Sequence, residues 1–248
     1  MKKLKTLKNK PKELSIVIPV YNEHANILKT LDEINRYVKV SHEIIVVYDF
    51  DEDTTLPVLE QSKKTKKNLL VVKNDVARGP SGAIRTGINH AKSTRVLVTM
   101  ADLCDDLSQV GQLLKIVPYE ADIVCPSRYM KGGQQQLKAS LKVWIPRAAG
   151  VLLKVLAGIS TYDSTNSYKL YSKKMLDSLN LKSTISFSVT LEIVVKAHAL
   201  GYKIVEIPTV WRDRQHGKTN FKLGQALVAY LPWFSYALLH RFSVKPRS

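Results

Sequence analysis

Cysteine is scarce in this chain of 248 residues, and its two cysteines belong to no paired motif. Cys104 and Cys125 lie 21 residues apart without a second pair, so the spacing predicts neither a zinc site nor a disulfide framework. Such cysteine usage is typical of a reducing compartment. The composition, with 45% hydrophobic residues, also excludes a disordered chain, a collagen-like repeat and a disulfide-dense secreted module. We therefore expect one domain with one large core.

Long hydrophobic runs are also missing. The most apolar stretch is Ala226–Leu239, which contains Pro232 and is shorter than the ~20 residues that cross a bilayer. The N-terminus is basic, but no apolar segment of a signal peptide follows it, so no secretory signal is expected. These features predict a protein that is cytoplasmic and peripheral at the cytoplasmic face of a membrane.

Acidic residues are outnumbered, since 38 Lys and Arg stand against 21 Asp and Glu, which gives a net charge of +17. This excess indicates an anionic partner, namely nucleic acid, a phosphorylated small molecule or an acidic membrane surface, or else a merely solvated basic surface. The lysines concentrate in residues 1–12 and 63–67 without interleaved aromatic residues and arginines. That pattern favours loose attachment to an acidic membrane surface over nucleic-acid recognition.

Strand-like and helix-like segments alternate about every 25 residues between 14 and 126, which predicts an α/β fold with a mostly parallel sheet. The strands are expected at 14–20, 44–48, 69–72, 95–100 and 122–125, with helices at 24–38, from 54, at 81–91 and at 106–117.

The alternation stops near residue 127. A glycine- and glutamine-rich loop at 132–136 is followed by a long helix at 141–157, a strand near 166–171, helices at 172–179 and 187–200, a strand at 204–207, a basic loop at 211–219 and a terminal helix. The predicted organisation is a basic tail (1–13), one domain with a nucleotide-sugar half (14–126) and an acceptor half (127–222), and an amphipathic helix with a basic tail (223–248).

Charged side chains follow the ends of the first five predicted strands. In an open parallel sheet, ligands bind beyond the carboxyl ends of the strands. Carboxylates such as Asp49 and Asp102, together with arginines such as Arg78 and Arg128, are expected to gather there. Carboxylates suit a hard divalent cation, and the cation suits a diphosphate. The pattern predicts a phosphorylated ligand with Mg²⁺ or Mn²⁺, although exposed loops are also polar for no functional reason.

Several motifs in a fixed order resemble family 2 glycosyltransferases of GT-A fold. They are I-V-I-P-V-Y-N-E (16–23), A-R-G-P-S-G-A-I-R-T-G (77–87), M-A-D-L (100–103) and S-R-Y-x-x-G-G (127–133). The later segments D-S-T-N-S-Y-K-L-Y (163–171) and W-R-D-R-Q-H-G-K-T-N-F (211–221) resemble the branch that transfers sugars to dolichyl or polyprenyl phosphate. The resemblance covers about residues 14–222.

The resemblance implies that a nucleotide-diphosphate sugar binds over the first half. Its binding residues are then expected to be Pro19, Tyr21, Glu23, Asp49, Arg78, Gly82 and Asp102.

The metal motif departs from the family's D-x-D pattern. Met100 takes the place of the first aspartate, Asp102 is the second, and Cys104 stands where a glutamine often follows. Asp105 is either a second oxygen ligand or a helix cap, and Asp106 is expected to be a cap. A divalent cation at Asp102 and Asp105 is the resulting expectation.

The acceptor half is expected to bind a lipid phosphate through cations, because a phosphate oxyanion needs no general base. Arg128 and Arg147 match family positions for the acceptor phosphate, and a mobile basic loop over the donor is matched by Arg212, Arg214 and Lys218. A hydroxyl acceptor, in contrast, requires a carboxylate base, for which Asp163 and Glu192 are the candidates.

The resulting hypothesis is an inverting hexosyltransferase that uses a donor of the GDP-mannose or UDP-glucose type and a polyprenyl or dolichyl phosphate acceptor. Aromatic residues next to cations in the terminal helix indicate contact with the membrane interface. Two alternatives stay open: the same donor with a saccharide or other hydroxyl acceptor, and a nucleotide-sugar-binding protein without catalysis.

Overall fold

The computed structural model describes residues 12–117, 119–136, 141–214 and 223–241. Its central sheet contains seven strands in the order β3-β2-β1-β4-β7-β5-β8. These strands are β1 (Leu14–Pro19), β2 (His42–Tyr48), β3 (Leu69–Lys73), β4 (Arg95–Val98), β5 (Ile123–Ser127), β7 (Lys169–Ser172) and β8 (Ile204–Pro208). All neighbouring pairs are parallel except those of β7, which runs antiparallel to β4 and β5. The prediction of a mostly parallel sheet is confirmed.

The helices of the described residues are α1 (Ile27–Tyr37), α2 (Thr55–Thr65), α3 (Pro80–His90), α4 (Val110–Ile116), α5 (Leu141–Ala157), α6 (Lys173–Ser178), α7 (Ser188–Ala199) and α8 (Leu223–Leu239). The first predicted helix starts later than expected, and the one predicted at 106–117 begins with a 3-10 turn, Leu107–Gln109.

Both faces of the sheet are buried under helices, which explains why its strands are continuously apolar. Ile16 and Ile18 of β1 belong to one buried cluster with α1 and α4, whereas Val17 belongs to another with α3 and α7. Successive residues of a strand point to opposite faces, so a strand covered on both sides needs apolar residues throughout. This burial fixes the sheet and leaves the loops at its edge free to form a site.

The segment Gln134–Gln135, predicted to be a loop, forms the short strand β6, which pairs in parallel with β9 (Val210–Trp211). A pairing between distant segments leaves no local signal in polar glutamines, so the loop prediction was wrong here. This small sheet brings residues 211–214 back toward the loop that follows β4, where the backbone N–H of Arg212 donates to the carbonyl of Cys104 at 3.0 Å.

No helix in the described parts of the chain combines the length and the hydropathy needed to cross a membrane. Helices α5 and α8 pack against each other, and both leave large apolar side chains exposed. The exposed fraction is 64% for Val155 of α5 and 63% for Leu231 of α8.

Candidate active site

The loops after β1 and β2 are tied together by a buried carboxylate. Both oxygens of Asp53 accept the backbone N–H of Asn22 at 3.1 Å, and Thr55 Oγ1 accepts the N–H of Glu23 at 2.9 Å. Asn22 has a left-handed backbone (φ 55°), a conformation that asparagine tolerates better than most residues. These bonds fix the segment that carries the predicted donor residues Tyr21 and Glu23.

The predicted base-pocket residues differ in their accessibility. Pro19 ends β1 and is buried, whereas Tyr21 is 52% exposed. The Tyr21 ring packs edge-on against Phe50, with centroids 5.4 Å apart. An exposed aromatic face supported from one side is available for stacking against a planar ligand.

Asp49 organises the next loop along this edge of the sheet. Its Oδ1 accepts a hydrogen bond from Asn74 Nδ2 at 2.6 Å, and its Oδ2 accepts the N–H of Gly79 at 2.9 Å. A carboxylate has about four lone-pair positions, so a ligand hydrogen bond still has room. The side chain of Arg78, next to this contact, is exposed.

Gly82, in the first turn of α3, packs against the same loop. A Cβ atom built there lies 1.8 Å from the carbonyl oxygen of Ala77, so any side chain would displace the backbone before α3. Gly82 therefore shapes the loop that carries Arg78, which is an indirect way of serving the predicted donor site.

Two carboxylates and one guanidinium meet where the loops after β1, β4 and β9 converge. Arg214 Nη2 lies 2.8 Å from Glu23 Oε1 and 3.5 Å from Asp102 Oδ2. Burial by itself lowers the pKa of Arg214, but the charges of Glu23 and Asp102 raise it above its ordinary value. The structure thus brings together three residues that the sequence placed in separate motifs, while Lys218 lies outside the described residues.

Asp105 faces the interior. Its Oδ2 accepts hydrogen bonds from Thr99 Oγ1 at 2.8 Å and from the N–H of Met100 at 3.1 Å. Burial, followed by the charge of Asp102, raises the pKa of Asp105 to about 7. Asp106 caps the 3-10 turn by accepting the N–H of Ser108, as predicted.

One carboxylate of this cluster, that of Asp102, is suited to bind a divalent cation. Among the described residues, no three His, Cys, Asp or Glu side chains converge as a metal cage. Asp102 has Oδ1 on the N–H of Cys104 and Oδ2 facing the Arg214 guanidinium. Mg²⁺ is commonly held by one or two carboxylates together with substrate phosphates and water. Asp102 therefore fits a cation whose remaining ligands come with the donor.

Arg128 and Asp163 form a buried bidentate ion pair on the acceptor side. Arg128 Nε and Nη2 donate to the two Asp163 oxygens at 2.8 and 2.7 Å, and the Arg128 backbone N–H donates to Oδ2 at 3.0 Å. Burial by itself raises the pKa of Asp163, but Arg128 holds it below its ordinary value. Asp163 is consequently an ionised partner of Arg128, with no accessible surface at its side chain.

Three further residues surround this ion pair. The Arg128 guanidinium carbon lies 4.9 Å from the ring centroid of Tyr129, and the charge of Arg147 also acts on that phenol. Arg147 is exposed on α5, where it stacks 5.5 Å from the centroid of Trp144. Tyr230 of α8 is close enough for the charge of Arg128 to act on its phenol.

Close packing positions α5 against this cluster. A Cβ atom at Gly150 would lie 1.9 Å from the carbonyl oxygen of Tyr162, so the helix contacts the 162–163 backbone directly. Gly150 is three residues after Arg147 and on the same helix face. The glycine thereby allows the part of α5 that carries Arg147 to pack closely against the backbone of Tyr162 and Asp163.

Both carboxylate oxygens of Glu192, the other predicted base candidate, accept hydrogen bonds within the protein. It has no accessible surface and accepts hydrogen bonds at 2.6–2.7 Å from the N–H groups of Lys182 and Ser183 and from Lys196 Nζ. These contacts anchor α7 to the preceding loop, so Glu192 has a structural role.

Sequence reasoning did not single out Tyr129, Asn74 or the cross-link made by Asp53. Tyr129 was visible as the residue after Arg128 in S-R-Y. The acidic residues after β2 were recognised as a group, but their separate partners depend on tertiary contacts.

A model of the family described as "Glycosyl transferase family 2" matches residues 15–179, more than half of the chain. The chain therefore belongs to glycosyl transferase family 2, and the resemblance found in its motifs is confirmed.

Curated relatives carry names of lipid-phosphate sugar transferases. Dolichol-phosphate mannosyltransferase of Pyrococcus furiosus is 26% identical over 224 residues, which are 88% of this chain but only 62% of that protein. Dolichyl-phosphate beta-glucosyltransferase ALG5A of Trichomonas vaginalis is 26% identical over 92% of this chain and 74% of its own length. Polyprenol monophosphomannose synthase of Mycolicibacterium smegmatis is 25% identical over 88% and 85%.

Among solved structures, the fold is similar to that of glucosyl-3-phosphoglycerate synthase from Mycobacterium tuberculosis. Its complex with Mn²⁺, UDP and glucosyl-3-phosphoglycerate superposes with a TM-score of 0.68 and 19% identity, over 96% of this chain and 82% of that one. A second complex of that synthase contains Mn²⁺, UDP-glucose and glycerol 3-phosphate, with a TM-score of 0.66 and 17% identity over the same shares. At this identity the likeness establishes the GT-A fold.

Proposed function

We propose that this protein transfers a hexose from a nucleotide-diphosphate sugar to a polyprenyl or dolichyl phosphate at the cytoplasmic face of a membrane. In this reaction a bond forms between an acceptor phosphate oxygen and the anomeric carbon. The bond from that carbon to the donor diphosphate breaks, and its electron pair leaves with the nucleoside diphosphate. Attack from the side opposite the leaving group inverts the anomeric configuration.

The acceptor side carries the main argument, because the two carboxylates predicted as base candidates already have partners within the protein. Asp163 is paired with Arg128, and Glu192 holds two backbone N–H groups and Lys196. Neither is placed to take a proton from a hydroxyl acceptor. A phosphate monoester brings its own oxyanion and needs cationic and hydrogen-bonding groups instead. The arrangement around Arg128 and Arg147 supplies these groups.

On the donor side, Glu23, Asp102 and Arg214 lie together, and we propose that the diphosphate binds beside them. Arg214 is close to both carboxylates. In the proposed complex its guanidinium exchanges these carboxylates for oxygens of the diphosphate, which it can bind in pairs. A divalent cation on Asp102, with Mg²⁺ or Mn²⁺ as the candidates, supplies further compensation of the charge on the leaving group. Arg212 and Lys218 belong to the same basic segment as Arg214, and we propose that they assist in binding the diphosphate.

The lipid part of the acceptor has an apolar surface beside the cluster. Tyr230 of α8 lies near Arg128, whose charge acts on its phenol, and the exposed residues Val228 (69%), Leu231 (63%) and Leu239 (77%) lie on the same helix. The exposed aromatic and apolar residues of α5 extend this surface. Together with the net charge of +17, they are typical of a protein that lies on an acidic bilayer.

The decisive experiment is a single-turnover transfer assay with a panel of labelled nucleotide sugars, Mg²⁺ or Mn²⁺, and farnesyl phosphate as a short lipid phosphate. We expect one donor to yield a lipid-linked sugar, and we expect none with farnesol, which lacks the phosphate.

Asp102→Asn tests the donor side, with Asp106→Asn as its matched control, because asparagine still caps the 3-10 turn. We expect Asp102→Asn to abolish transfer and Asp106→Asn to retain it. Transfer to farnesol or to a saccharide would replace the lipid-phosphate proposal with a hydroxyl acceptor. Nucleotide binding without turnover on any acceptor would indicate a binding protein.

A further inference from the structure

Tyr129 carries a buried hydroxyl group that has no hydrogen-bond partner among the described residues. The oxygen atom is inaccessible, and it makes no hydrogen bond to any residue that the structure describes. Its backbone is fixed, since the Tyr129 N–H donates to Ser127 Oγ at 3.2 Å. A buried donor without an acceptor is destabilising and uncommon in folded proteins. Within the part of the chain that the structure describes, this hydroxyl therefore has a hydrogen-bonding capacity that is not met.

The surroundings of this hydroxyl are suited to an anion. The ring lies against the Arg128 guanidinium, and the charge of Arg147 acts on the phenol as well. Burial raises the pKa of Tyr129 to about 12, even though both arginines lower it. The hydroxyl therefore keeps its proton at neutral pH and can donate it in a hydrogen bond.

Arg128 by itself is an incomplete phosphate site. Asp163 accepts hydrogen bonds from its Nε and Nη2 atoms and forms an ion pair with it. Nη1 has no hydrogen bond to any residue that the structure describes. The Tyr129 oxygen is covered in the free protein, so a phosphate would reach it only after the surrounding side chains move. The cations nearest to the phenol are then those of Arg128 and Arg147.

We propose that the Tyr129 hydroxyl donates a hydrogen bond to the phosphate group of the acceptor and selects phosphate monoesters over acceptors that lack the group. This inference rests on the function proposed above for the acceptor. A site that leaves a polar group unpaired when the wrong ligand binds discriminates more strongly than an apolar contact does. Tyr129 is thus a substrate-binding residue next to two arginines that supply charge.

The test is Tyr129→Phe, with Tyr171→Phe as its matched control. Tyr171 lies on β7 and has a fully buried hydroxyl that also lacks a partner among the described residues. Its ring belongs to the hydrophobic cluster of the central sheet. Both variants lose a phenolic hydroxyl without breaking an internal hydrogen bond, so we expect neither to lower the melting temperature.

Binding is measured by isothermal titration calorimetry with farnesyl phosphate, inorganic phosphate and farnesol, and transfer is measured in parallel. We expect Tyr129→Phe to weaken farnesyl phosphate binding roughly 10- to 100-fold and to raise its KM to a similar extent, as befits a lost bond to a charged group. Tyr171→Phe and the nucleotide affinity of both variants should be unchanged.

The possible outcomes separate this inference from the proposed function. Equal farnesyl phosphate affinity in Tyr129→Phe and the unsubstituted protein overturns the role of Tyr129, whatever the transfer assay gives. If inorganic phosphate loses affinity in parallel, the hydroxyl recognises the phosphate group alone and the role stands. If Tyr129→Phe lowers phosphate affinity while the unsubstituted protein transfers no sugar to farnesyl phosphate, the phosphate site stands and the lipid acceptor is overturned.

Discussion

Replacing Asp163 with asparagine keeps the shape of the side chain but removes the negative charge that pairs with Arg128. The Arg128 side chain is 12% exposed, so its guanidinium would remain buried beside a weak acceptor. Removing one partner of such a pair costs about 3–5 kcal/mol in the free energy of unfolding. For a domain of this length the melting temperature is expected to fall by roughly 6–20 °C.

The same substitution separates two roles of Asp163. If Asp163 orients Arg128, acceptor KM rises while nucleotide affinity stays constant, because the predicted donor residues Glu23, Asp49, Arg78 and Asp102 lie on the loops after the first four strands. If Asp163 were a general base, kcat would fall by about 10²–10⁴-fold at unchanged acceptor KM, and the acidic limb of the pH profile, where the base becomes protonated, would disappear. We expect the first pattern.

Glu192→Gln is the matched control, since Glu192 is also a buried carboxylate paired with one cation. It should lower the melting temperature without an acceptor-specific effect. Melting is followed by scanning fluorimetry, and kinetics are measured below the lower transition. The double variant Arg128→Gln/Asp163→Asn should recover part of the lost stability but none of the acceptor affinity. An Asp163→Asn protein with unchanged stability and KM would refute the reasoning.

Three further predictions concern the donor loops and the apolar surface. The pKa of Asp105 is raised to about 7, above its unfolded value of about 3.9. The free energy of unfolding therefore falls as pH rises from about 4 to 7, because the carboxyl ionises in the unfolded chain before it ionises in the folded protein. Asp105→Asn should therefore be more stable than the unsubstituted protein at pH 8, by roughly 2–4 kcal/mol, and nearly equal to it below pH 4. Denaturant titrations measure this difference in stability, and Asp106→Asn serves as the control. A difference that is the same at both pH values would contradict the prediction. Leu231→Glu should weaken flotation with acidic vesicles, whereas Leu28→Glu, at an exposed leucine of α1, should not; equal losses would exclude α8 as the membrane surface. Arg214→Gln should bind Mn²⁺ more tightly without nucleotide, because a competing cation is gone, and should lower kcat roughly 10- to 100-fold; calorimetry that finds unchanged Mn²⁺ affinity would contradict the competition.

The strands and most helices were predictable because their signal is local. The apolar run of β1 and the helical spacing of Ile27, Leu31 and Ile34 each report burial within one segment. The order of motifs also indicated the family before any contact was known. What the local pattern could not give was β6, since Gln134–Gln135 becomes a strand only through its distant partner at 210–211.

The sequence alone also determined which chemistry is present: carboxylates after β1, β2 and β4, arginines in the second half, and an apolar terminal helix. Only the tertiary structure decided how these groups are paired. It placed Arg214 between Glu23 and Asp102 and buried Asp163 against Arg128. The physical reason is that the availability of a charged side chain depends on its partners and burial, and both are set by segments far apart in the chain.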